Sequence, residues 1–188
     1  MSKLTSISKQ YRITADKLLK QTGLINDLKK FGEVHLTGAY AHNLMIHSDI
    51  DLEVVKDKKF SQEEIFALFK RLYLKNKFKS YFLKGKWDDP RLGKEFPDGQ
   101  YVGMKVYFGG EKWMIDIWLV NKKEANRREQ LNRFITEKID DKKRELILKF
   151  KQFRKKNKIN IAGYEIYELV LKNNVKSLEE FKRRIKAK

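Results

Sequence analysis

Two short stretches of alternating residues constrain this chain more than anything else in it. In Asp49-Ile50-Asp51-Leu52-Glu53-Val54-Val55 the side chains of a strand would alternate between faces, so Ile50, Leu52 and Val54 point one way and Asp49 and Asp51 the other. In Trp113 to Leu119 the same parity puts Ile115, Ile117 and Leu119 on one face, with Asp116 between Met114 and Trp118 on the other. Each strand therefore needs a core on one side and carries acid on its back. A lone Asp amid apolar sequence costs several kcal/mol if buried unpaired, so Asp116 needs a partner. Asp49 and Asp51, side by side, repel each other unless a cation lies between them, and a hard divalent ion with oxygen ligands is the ordinary remedy. If the two strands are neighbours, the three acids form a cluster able to hold two metal ions about 4 Å apart, the arrangement used for in-line phosphoryl chemistry.

The rest of the chain divides at Asn121. Before it, Ser8 to Phe31 reads as one helix, with Leu18, Leu19, Thr22, Ile25 and Leu28 on one stripe and Gly32 ending it. Val34-His35-Leu36 is a short strand running into Gly38, and Ala39 to Met45 a short turn or helix. Ser61-Gln62-Glu63-Glu64 is a capping box that opens a helix with Ile65, Leu68, Phe69 and Leu72 inward. Ser80 to Leu83 is strand-like, Trp87 to Gly99 holds both prolines and must be a loop, and Gly109-Gly110 joins the strands Gly103 to Phe108 and Trp113 to Val120 as a hairpin. After Asn121 no strand pattern survives, and Lys122–Thr136, Asp140–Lys156, Tyr164–Leu171 and Ser177–Lys186 read as helices. The expected class is α+β, with residues 1–121 as a catalytic core and residues 122–188 as a basic helical extension packed on it.

At 188 residues the chain can bury one good core with a small appendage. The absence of cysteine excludes disulfides, thiolate metal sites and a cysteine nucleophile. No apolar run approaches the roughly 18 residues of a membrane span, and the N-terminal segment has no apolar signal core, so a soluble, cytoplasmic protein with no membrane partner is expected. The net charge of +18 suits a polyanionic partner such as nucleic acid, a nucleotide or an acidic surface, and residues 122–188 carry +12 of it, from 22 basic and 10 acidic residues. The excess is mostly lysine, in a chain also rich in Ile and Asn, which an AT-rich coding bias would produce as well. Charge alone does not choose among these partners, and nothing sets an oligomeric state.

Gly38, after a strand and before a short helix, lets a phosphate approach backbone N–H groups. Ser48, next to Asp49, can hold that acid's orientation. Thr37-Gly38-Ala39-Tyr40-Ala41-His42, then Ser48-Asp49-Ile50-Asp51-Leu52, then an isolated acid in Met114-Ile115-Asp116-Ile117, resembles the DNA polymerase beta-type nucleotidyltransferase superfamily over roughly residues 30 to 120. The resemblance implies the nucleotidyltransferase fold, a short mixed β-sheet flanked by helices, here with a C-terminal helical extension. It implies transfer of a nucleoside monophosphate from a nucleoside triphosphate to an acceptor hydroxyl, such as an RNA 3′ end, with two Mg2+ ions, or Mn2+, as cofactors. Asp49 and Asp51 would bind both metals. Asp116 would bind the catalytic metal and help deprotonate the acceptor. Gly38, Ala39, Ser48 and His42 would meet the nucleotide. Ala39 stands where the family usually has a Ser, and His42 where small relatives often have a basic residue; neither departure touches a metal ligand. Transfer to a small molecule or a protein, and a catalytically silent nucleotide- or RNA-binding module, are the alternative readings.

The remaining candidates have simpler readings. His35 is structural, His47 lies in the loop before the acids, and Asp88 and Asp89 cap turns beside Trp87. Lys84, Lys86 and Lys105 lie on strands that could border the cleft and read as surface lysines. Tyr164 and Tyr167 fall beside Ile166 and Val170 at helical spacing as core, and Arg154-Lys155-Lys156-Asn157-Lys158 is a solvated helix end.

Overall fold

The computed structural model describes residues 2–75, 77–84 and 97–186. Their elements run in the order α1 (Lys3–Thr22), α2 (Leu24–Leu28), β1 (Glu33–Thr37), α3 (Gly38–Ala41), β2 (Asp49–Lys56), α4 (Gln62–Leu74), β3 (Ser80–Lys84), β4 (Gln100–Phe108), β5 (Glu111–Asn121), α5 (Lys122–Lys138), α6 (Asp141–Lys156), α7 (Gly163–Leu171) and α8 (Leu178–Lys186). The class is α+β, as expected. The loop expected over Trp87–Gly99 lies outside the described residues apart from Pro97–Gly99, as do Lys86, Trp87, Asp88 and Asp89.

The single helix expected from Ser8 to Phe31 is two. It begins earlier, at Lys3, capped by the Ser2 hydroxyl, and breaks at Gly23, whose φ of +67° is the left-handed conformation that glycine adopts without a Cβ clash. The apolar stripe hid the break because Leu24 and Leu28 of α2 carry it on into the same core. The capping box at Ser61 is present, with the Ser61 hydroxyl accepting from the Glu64 N–H and the Glu64 carboxylate accepting from the Ser61 N–H.

The strands form one mixed sheet in the order β1-β2-β5-β4-β3, antiparallel throughout except that β2 and β5 run parallel. A parallel pair needs a crossover rather than a hairpin, and here α4, β3 and β4 lie between the two strands in sequence. One face of the sheet is the principal core: Ile50, Leu52, Val54, Val102, Met104, Ile115, Ile117 and Leu119 pack against Leu18 and Leu19 of α1, Leu24 and Leu28 of α2, and Ile65, Leu68 and Leu72 of α4. Those of β2 and β5, Ile50, Leu52, Val54, Ile115, Ile117 and Leu119, are the inward residues that strand parity assigned. The opposite face carries Val55, Trp118 and Val120, covered by Ala125 of α5, with Tyr101 packed beside them. A separate apolar cluster joins α5, α6, α7 and α8 through Ile135, Ile147, Phe150, Ile166, Val170 and Phe181, and Leu44, from the loop after α3, is buried in it. Residues 122–186 are thus tied to the loop that leads into β2. No helix among the described residues is long and apolar enough to cross a membrane.

Candidate active site

Pairing β2 in parallel with β5 places Asp51 directly opposite Asp116, and Asp49 one pleat earlier on the same face. The three carboxylates converge, each with an oxygen within 4.8 Å of the others. They lie on the face away from the principal core, at the point where β1 ends: Thr37 is the register partner of Asp51, and α3 begins at Gly38. Gly38 has φ +62°, and a Cβ there would stand 2.0 Å from Asp51 Oδ2. The turn therefore needs glycine twice, for its conformation and to let Asp51 in.

The electrostatics follow from crowding. Burial raises the pKa of Asp49 above the ordinary carboxylate range, and repulsion from Asp51 and Asp116 raises it further. Asp51 is raised first by burial and then by Asp116. Burial also raises Asp116, while the Tyr101 hydroxyl, donating to its Oδ1 at 2.6 Å, and the Lys84 charge pull it back. The Tyr101 phenol is in turn pushed up by burial and by that acid. Asp49 Oδ1 is buried with no hydrogen-bond partner. Oxygen donors from two acids of β2 and one of β5, with one oxygen orphaned, form the donor set that a hard divalent cation takes, so the residues present fit a metal. A fourth acid on this face of the sheet, Glu53 of β2, is neutralised separately by Arg128 of α5.

The other site candidates fall at varying distances from this cluster. The Ser48 hydroxyl donates to the Lys112 carbonyl at 2.7 Å, while the Met114 N–H donates to the Ser48 carbonyl at 3.0 Å. Ser48 therefore stitches the start of β2 to β5 and orients Asp49 only through the backbone. Ala39 packs beside both the principal core and the helical cluster. His42 is buried, with Nε2 3.2 Å from Asn132 Oδ1 of α5, and burial lowers its pKa and keeps the ring neutral. His47 is lowered to about 4, first by burial and then by Lys151, Lys155 and Arg154. His35 pairs with Glu33 of its own strand. Lys105 lies over Phe82, 4.5 Å from the ring centroid. Tyr167 is buried in the helical cluster and Tyr164 packs at its margin. Arg154 donates to the Ile161 carbonyl at 2.9 Å rather than extending into solvent.

Two residues enter the site unannounced. Lys151 of α6 is buried, donates to the Leu44 carbonyl at 2.7 Å and to the Tyr167 hydroxyl at 3.3 Å, and has its pKa lowered to about 8 by burial, against the pull of Asp51 and Asp49. Its signal was a lysine four residues after Ile147, on the buried stripe of an otherwise amphipathic helix. Tyr101 left no such trace, because its reach to Asp116 depends on the pairing of β4 with β5.

A mixed sheet with an Asp-x-Asp strand, a third acid on the adjacent parallel strand and a glycine turn packed on the pair is the arrangement of a nucleotidyltransferase fold. Solved structures agree. The chain is similar to the Cid1 poly(U) polymerase bound to Mg and 3′-dATP, with TM-score 0.59 and 17% identity over 87% of this chain and 49% of that one. It is also similar to the non-canonical poly(A) polymerase complex GLD-2–GLD-3, with TM-score 0.56 and 15% identity over 90% and 58%. A third likeness is to E. coli MS115-1 CdnC with ATP, at TM-score 0.50 and 13% identity over 89% and 59%. At these identities the likeness is one of fold, and the chain spans about half the length of the polymerases it matches. No protein-family model matches the chain, and no curated protein matches it in sequence.

Proposed function

We propose that this protein is a metal-dependent nucleotidyltransferase that moves a nucleoside monophosphate from a nucleoside triphosphate to an acceptor hydroxyl, with an RNA 3′ end as the acceptor. The observation that carries the reading is the convergence of Asp49, Asp51 and Asp116 within 4.8 Å on one face of a nucleotidyltransferase sheet. Two Mg2+ ions, or Mn2+, held by these acids would neutralise the phosphates and stabilise the charge that develops during in-line displacement. The acceptor oxygen forms a bond to the α-phosphorus, the bond from that phosphorus to the bridging oxygen breaks, and pyrophosphate leaves. Asp116, which stands directly opposite Asp51 on the neighbouring strand, takes the acceptor's proton. Backbone N–H groups at Gly38 and Ala39 meet the triphosphate, and the charges of Lys151, Arg154 and Lys155, which already bear on His47, add positive potential beside the loop that leads into β2. RNA as the acceptor is supported by the basic excess of residues 122–188 and by the polymerases named among the similar structures.

The test is incubation with each labelled triphosphate and total cellular RNA. Wild-type protein labels RNA 3′ ends, and Asp51→Ala or Asp116→Ala abolishes labelling; undiminished transfer by either variant removes the proposed site. Label on a small molecule or a protein would reassign the acceptor, and triphosphate binding without transfer would leave a silent binding module. RNA binding should also weaken steeply with rising salt, as expected for phosphate contacts made by Lys and Arg.

A further inference from the structure

Gly103 of β4 is the register partner of Asp116, on the face that carries the acids. Tyr101, two residues earlier and so on the same face, lies opposite Trp118. A tyrosine there can reach Asp116 only if its ring lies along the strand across position 103, which must then have no side chain. Both conditions hold. The phenol donates to Asp116 Oδ1 at 2.6 Å, and a Cβ at Gly103 would stand 2.4 Å from the Tyr101 hydroxyl oxygen and 2.9 Å from Cζ. Backbone conformation does not call for glycine at this position, since Gly103 is not among the residues with positive φ. The ring is flanked by Trp118, with centroids 5.3 Å apart, and by the Lys84 ammonium, 5.9 Å from its centroid.

We infer that Tyr101 is a positioning residue for Asp116 and that Gly103 is the slot through which it acts, the phenol fixing the carboxylate so that it meets a divalent cation in one orientation. This rests on the metal-dependent reading above for what Asp116 serves. Carboxylates that bind metals are commonly held by such an outer hydrogen bond, and losing it weakens metal binding about ten- to a hundred-fold.

Mn2+ binding to the full chain without nucleotide, read from the paramagnetic resonance of free Mn2+, tests this directly, with transfer kinetics alongside. Tyr101→Phe, which keeps the ring and loses the hydroxyl, is expected to weaken Mn2+ binding about tenfold and to lower kcat more than it raises KM for the triphosphate. Gly103→Ala keeps every polar group and should do the same by displacing the phenol. The double variant should bind no worse than the poorer single one, since both changes act through one contact. Wild-type Mn2+ affinity in Tyr101→Phe overturns the inference and leaves the proposed function standing; absence of Mn2+ binding by the wild type removes both. If Gly103→Ala does not fold, Tyr101→Phe decides alone.

Discussion

Gly38 shows how much one missing side chain does here. It was legible as a turn glycine that opens a path for phosphate, and that reading missed the carboxylate already lying in its Cβ position. Gly38→Ala adds left-handed strain of about 1–2 kcal/mol and a methyl 2.0 Å from Asp51 Oδ2. It should lower stability in urea and also abolish Mn2+ binding. Gly110→Ala is the control, with φ +82° and nothing within 4 Å of the added carbon; it should incur the strain and retain the metal. Equal Mn2+ affinity in both variants would show that Asp51 does not depend on the glycine. The three acids themselves were readable because strand parity is a local property that each segment declares alone. Tyr101 was not, since its partner is chosen by register and its path by a glycine two residues away. For Ser48 and His42 the sequence could not name the protein partners, the Lys112 carbonyl and Asn132, because a hydroxyl and an imidazole bond to whatever the fold brings near.

Among the elements, α5 decides what the acid face of β2 can be. That strand offers Asp49, Asp51 and Glu53 on one side, and without a cover all three would compete for cations. Arg128 of α5 takes Glu53, whose side chain is 2% exposed, and leaves the aspartates to the site. Arg128→Met strands a buried carboxylate and should cost about 3–5 kcal/mol in equilibrium unfolding. Adding Glu53→Gln should recover most of that loss, because the uncompensated charge goes with it. A double variant as unstable as Arg128→Met alone would mean that the arginine matters for packing rather than charge. The helices of this region were legible from periodicity and caps, including the Ser177 hydroxyl that accepts from the Glu180 N–H. Their placement was not, because an amphipathic stripe says that a helix is covered without saying by what. The break at Gly23 was missed for the same reason: one apolar stripe served two helices.

For the whole molecule, the site makes stability depend on pH and on metal together. Asp49, Asp51 and Asp116 all have raised pKa values, chiefly through burial. Above the ordinary carboxylate pKa the folded chain therefore holds protons that the unfolded chain has released, and stability from these groups falls as pH rises until they ionise. Lys151 runs the other way. Its pKa is lowered to about 8 from 10.5, so between those values the unfolded chain binds more protons and stability from this group recovers as pH rises. Without metal the site is thus most costly to the fold near pH 8, where the acids are completing their ionisation and Lys151 is only beginning to lose its charge. A divalent cation competes with the protons and replaces their effect, stabilising the folded state in proportion to how empty of protons the cluster is. Mg2+ or Mn2+ should therefore raise Tm more at pH 8 than at pH 5.5, measured by thermal melting with and without the ion at constant ionic strength. In Asp49→Asn/Asp51→Asn the metal-free protein should melt higher than wild type at pH 8, and its metal increment should vanish. A metal increment of the same size at both pH values would mean that the ion binds somewhere other than these three carboxylates.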